Sequence, residues 1–181
     1  MEGNRCVIWG TKASIDYRNQ DDCWLIDSPR AGGLYQISEQ VACGLRSLTP
    51  LERAKLTTWL VNRRYEGEHD PIVTQSIIEY SVNARPLKEK AKIIRLLNYI
   101  DKMYNTDYLS EGLSEIKQEC QMQMMACTES VLINEIFNKI KKLKHKKLID
   151  ENLTVSEQGV LYLRKSYGYI NEETDLSAVL M

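Results

Sequence analysis

Apolar residues change rhythm along this chain. In the first forty-five residues they come in short runs, Cys6-Val7-Ile8-Trp9 and Cys23-Trp24-Leu25-Ile26, separated by the polar stretch 16–22. Leu34-Tyr35-Gln36-Ile37 then alternates. Segments of this length and pattern predict three strands. Ser38 is the expected cap of a short helix through Val41 and Leu45. From residue 49 the spacing lengthens to three and four. Thr49-Pro50-Leu51-Glu52 reads as a capping box with proline at the first helical position. Its helix passes through Leu56, Trp59, Leu60 and Val61 and stops near Gly67. Asp70-Pro71 predicts the opening of a third helix through Ile77, Ile78 and Tyr80, and Pro86 that of a fourth, with Ala91, Ile94, Leu97 and Ile100 on one face. The stretch Tyr104–Gly112 reads as a hinge.

The last third carries the strongest pattern. Leu132, Ile133, Ile136, Phe137, Ile140 and Leu143 form one stripe of a long helix predicted over Thr128–Lys147. Thr128 is its expected N-cap, with Glu129 at the positive end of the helix dipole. Leu148-Ile149 and Leu153-Thr154-Val155 read as a tiny ribbon turned by Asp150-Glu151-Asn152, and Ser156 caps a closing helix through Val160, Leu161 and Leu163. A short helix, a long helix, a tight two-strand wing and a closing helix over 114–164 follow the order of a winged helix-turn-helix. The run KKLIDENLTVSEQGVLYL resembles the hairpin and following helix of bacterial winged-helix proteins. The expected fold is α+β and mainly helical: a β-containing module over 1–84, a winged helix domain over 85–170 and a tail over 171–181, with the boundary near Val82–Arg85.

Composition adds limits. The 181 residues are 43% apolar and 27% charged, enough for a real core, and the net charge of −1 provides no global field for nucleic acid. No run of about eighteen apolar residues predicts a membrane span. The Met-Glu-Gly-Asn-Arg start lacks a signal-peptide pattern, which points to the cytoplasm. Five irregularly spaced cysteines, Cys6, Cys23, Cys43, Cys120 and Cys127, point to reduced thiols. Cys6-Val7-Ile8-Trp9-Gly10 looks like a zinc knuckle whose second cysteine has become tryptophan. Cys23 and His69 would complete only a partial ligand set, so neither metal nor cofactor is expected.

Two segments are candidates for binding. Asp27-Ser28-Pro29-Arg30-Ala31-Gly32-Gly33, running on to Tyr35, joins a cation, a hydroxyl and free glycine amides ahead of a helix. Such a loop could hold an anion or a nucleotide phosphate. The alternative is a tight strand-to-strand turn in which Arg30 pairs with Asp27. The second segment is the long helix, which would present Thr128, Ser130 and Asn134 to base edges and Lys139, Lys142 and Lys146 to phosphates. Glu129, Glu135 and the acidic wing tip argue against a polyanionic partner, and lysines near a helix C-terminus are also favoured by the macrodipole. His69 and His145 sit in no recognisable triad, and no catalytic residue is assigned.

The strings CVIWGTKAS, IDSPRAGGLYQIS and LTTWLVNRR together look like the leading module of a group of uncharacterised bacterial proteins. In that group a similar N-terminal region and winged helix precede an effector domain of the nucleoside 2-deoxyribosyltransferase-like or TIR-like kind. The resemblance implies a non-enzymatic sensor or regulatory half that recognises a small ligand, a nucleotide or a protein partner, the fused effector included. A DNA-binding regulator is the first alternative and a hydrolase acting on nucleotides the second. A homodimer is expected by analogy with winged helices that pair through their first and last helices.

Overall fold

A computed structural model describes residues 4–18, 22–104 and 116–174. The fold is α+β and mainly helical. Strands β1 (Ser14–Arg18), β2 (Cys23–Ser28) and β3 (Gly33–Ser38) form an antiparallel meander, and β4 (Ile72–Val73) joins β3 in parallel. Helices follow as α1 (Glu39–Gly44), α2 (Pro50–Tyr65), α3 (Gln75–Asn83), α4 (Glu89–Tyr104), α5 (Gln118–Cys127), α6 (Ile133–His145) and α7 (Glu157–Thr174).

Local chemistry starts several of these elements. Ser38 Oγ accepts the Val41 amide and begins α1. At α2 the Thr49 hydroxyl accepts from the Glu52 amide, while the Glu52 carboxylate accepts from Thr49 N–H. Ser156 Oγ accepts the Gly159 amide at the start of α7. Three helices stop alike. Gly67, Glu129 and Lys147 adopt positive φ, and the next amide (Glu68, Ser130 or Leu148) reaches back to Arg63, Met125 or Leu143. This is the Schellman closure, in which glycine is the usual residue.

The apolar interior falls into two large clusters. One is drawn from residues 6–82 and includes Ile8, Ile26, Tyr35, Ile37, Leu45, Leu56 and Leu60. The other, from residues 93–163, includes Leu96, Leu97, Ile100, Met124, Ile136, Ile140, Leu143 and Leu153. A thin seam of Val61, Ala126 and Cys127, with Tyr99 against it, lies between them.

Several expectations are corrected. Cys6–Trp9 is a turn, flanked by a bridge between Arg5 and Lys12, and the strand lies one segment later in Ser14–Arg18. Pro71 opens no helix; the next two residues pair with β3, and Thr74 caps α3. The helix expected from Thr128 begins at Ile133, because Thr128 ends α5 and Glu129 turns the chain. The expected ribbon is a single bridge between Ile149 and Val155. The Asp150 carboxylate accepts from the Asn152 and Thr154 amides and completes that turn. Gly159 lets α7 lie against it, since a Cβ there would collide with the Leu148 carbonyl. Most of the expected hinge lies outside the described residues.

Candidate functional site

The turn Pro29–Ala31 between β2 and β3 does not face solvent. It packs on α2 and α5, and Ser28, Arg30, Ala31 and Tyr35 are buried. Only Asp27 among the polar candidates is exposed. Arg30 does not pair with Asp27. Its Nη2 donates to the Ser130 carbonyl at 2.6 Å, and its guanidinium carbon lies 3.7 Å from the Trp9 ring centroid. That carbonyl lies just past the C-terminus of α5, where the dipole favours a cation. Burial lowers the Arg30 pKa to about 10, which leaves the group charged at neutral pH. Its Nη1 has no hydrogen-bond partner among the described residues.

Arg64 holds the other side of the turn. Nε and Nη2 donate to the Leu34 carbonyl at 3.0 and 2.5 Å, and Nη1 donates to the Ala31 carbonyl at 3.1 Å. Gly32 and Gly33, with φ of 79° and 125°, admit this contact. A Cβ on Gly32 would stand 2.6 Å from Val61 Cγ2. The glycines therefore serve close packing against α2 rather than a phosphate. The loop expected to hold an anion is a structural seam.

A cavity of about 200 Å³ opens beside it, lined by Gly32, Val61, Arg64, Tyr65, Tyr99, Gln123 and Cys127. Both cores contribute walls: α2 and the turn on one side, α4 and α5 on the other. Tyr99 donates to Gln123 Oε1 at 2.6 Å, so Gln123 has its amide N–H group for a further partner. Burial pushes the Cys127 thiol up to about 12. A thiol so displaced is neutral and unreactive at physiological pH. No signal in the sequence marked this cavity, because its walls come from four separated segments.

The second candidate surface is redistributed too. Thr128 and Ser130 are fully buried, hydrogen-bonded to each other and, through Thr128, to the Met124 carbonyl, so neither can reach a base edge. Lys139 is 5% exposed, Lys142 pairs with Glu89 at 3.0 Å and Lys144 pairs with Glu151 at 2.6 Å. Glu129 is buried, accepts the Leu87 amide at 3.0 Å and lies 3.7 Å from Lys92 Nζ. Asn134, Asn138, Lys141, Lys142 and His145 remain exposed at helical spacing on α6, with Lys146 and Lys147 beyond its end.

Among the described residues no group of three or more metal-ligating side chains occurs, and no helix is long and apolar enough to cross a membrane. In comparisons with known proteins, no family model, no curated protein and no solved structure matches the chain.

Proposed function

We propose that this chain is a non-enzymatic regulatory module that senses a small planar ligand in the seam between its two cores. One observation carries the reading: the cavity walled by Gly32, Val61, Arg64 and Tyr65 from one side and Tyr99, Gln123 and Cys127 from the other. Its volume lies below the roughly 300–1,000 Å³ of drug-sized sites, which suits a single heteroaromatic group of nucleobase size. The tyrosine rings supply apolar faces, and Gln123 supplies a polar edge. A ligand touching both sides binds one relative arrangement of the cores better than another, and this difference is what shifts a population.

The test is thermal melting of the purified chain with adenine, guanine, nicotinamide or the corresponding nucleosides. A probe at a hundred times its Kd should stabilise the fold by about 2.7 kcal/mol. Gln123→Trp, which projects a ring into the cavity from a half-buried position on its wall, should remove that shift while the chain stays folded. Absence of a shift with every probe, or its survival in the filled variant, refutes the reading.

A second reading has its own support. The order α4, α5, α6, bridged turn and α7 fits a winged helix, and α6 exposes Asn134 and Asn138 beside Lys141 and His145. On this reading the module binds duplex DNA through α6. Mobility shifts at two salt concentrations test it, and binding unaltered by Asn134→Ala would exclude sequence reading through that residue.

A further inference from the structure

Cys6-Val7-Ile8-Trp9-Gly10 and Ser28-Pro29-Arg30-Ala31-Gly32 are two versions of one device. Each opens on a small buried side chain, Cys6 at 1% exposure and Ser28 at 0%. Each closes on a glycine with positive φ, 67° at Gly10 and 79° at Gly32. Each also sits inside a hairpin. Arg5 bridges Lys12 around the first, and Ser28 opposes Gly33 across the second. Residues 10–27 separate the two pairs, within the roughly fifteen to twenty residues common between paired zinc knuckles. Cysteines at 6, 9, 28 and 31 would make a four-thiolate structural site. Only Cys6 is a cysteine, so the residues present do not fit zinc.

Other contacts hold the two turns together. Trp9 stacks on Arg30 across the pair, and its indole Nε1 donates to Thr57 Oγ1 of α2 at 2.8 Å. The Tyr35 hydroxyl lies 3.4 Å from Cys6 Sγ. Ser28 Oγ is buried with no partner among the described residues, a polar atom that this packing does not use.

We infer that residues 5–12 and 23–38 are the two knuckles of a zinc-ribbon scaffold that stands without its ion. The Trp9–Arg30 stack and the Tyr35 hydroxyl act as its clip. Arg30 also reaches Ser130, so the same clip ties the ribbon to the end of α5. A metal ligand at position 9 could not make the stack on Arg30.

The experiment rebuilds the site. The triple variant Trp9→Cys/Ser28→Cys/Ala31→Cys is titrated with Co²⁺ and then Zn²⁺. One equivalent of Co²⁺ should give the absorption of a tetrahedral thiolate site, Zn²⁺ should displace it, and adding Cys6→Ala should abolish it. A folded triple variant with no such site, or one indifferent to Cys6→Ala, overturns the inference. Ser28→Cys alone covers the case in which the triple variant fails to fold. Mild oxidation should join the new thiol to Cys6, as read by peptide mass. Its failure to pair, or pairing with Cys23 instead, also overturns the inference.

Discussion

Two sets of cations in this molecule, one in each half, are placed in opposite ways. In the sheet-bearing half, Arg30, Arg53 and Arg64 turn inward and donate to main-chain carbonyls: Ser130 for the first, Leu48 and Ile8 for the second, Leu34 and Ala31 for the third. In the helical half, Lys141, Lys142, Lys146 and Lys147 are exposed. The planar guanidinium fork suits carbonyls that converge at turns and helix ends, whereas an ammonium group on a flexible stem stays hydrated. An arginine in a glycine-rich loop therefore has two meanings. Here it ties elements together, and the charge available to a partner lies elsewhere.

Breaking the inward half should have the largest effect. Gly32→Val places a branched side chain against Val61 at a φ of 79°. Overpacking costs about 1–3 kcal/mol and left-handed backbone about 1–2, so a loss of about 4 kcal/mol is expected in urea unfolding. A loss below about 1 kcal/mol would show that the turn can leave α2 freely.

Arg30→Ala comes next. It removes a charge-assisted hydrogen bond of about 1.5–3 kcal/mol and a cation–π contact of about 0.5–2, for a combined expectation near 3 kcal/mol. Arg30→Lys should recover little, since an ammonium cannot stack on Trp9 and reach Ser130 together. Full rescue by lysine would reduce the tie to simple charge.

The contrast also marks what the sequence could reveal. Strands β2 and β3, the Ser38 cap and the Thr49–Glu52 box were legible because each rests on neighbours within a few residues. Strand β1 was missed because its outward positions are polar and it buries little. The start of α6 was misplaced because Glu129 takes the left-handed conformation that a glycine would have announced. It is held there by Leu87 and Lys92, over forty and nearly forty residues away respectively. The seam was hidden for the same reason. Arg30 finds its carbonyl a hundred residues on, and no local pattern encodes that. The exposed run of α6 was visible as lysines, but Glu89 and Glu151 claim two of them from other segments.

A smaller effect should appear with pH. Cys127 keeps its proton to about 12 in the fold, against 9.0 as an ordinary thiol. At this thiol the folded chain holds a proton that the unfolded chain gives up between about pH 9 and 12. The thiol's contribution to stability is complete below that window and falls as pH rises through it. Cys127→Ala should reduce the loss between pH 7 and pH 10, measured as the change in urea midpoint. An equal loss in both proteins would mean that the seam opens before the thiol titrates.

The outward half should barely register in stability. Lys141→Glu together with Lys146→Glu alters exposed groups with no packing role, so each change should stay within about 0.5 kcal/mol. Their effect on a duplex would be the opposite. Phosphate contacts make affinity fall steeply with salt, and losing two of them should flatten that slope by about two while reversing charge on the one face that α6 leaves open. A variant that folds normally and no longer shifts duplex would assign the outward cations to nucleic acid. Unchanged retention would leave them as a solvated helix end.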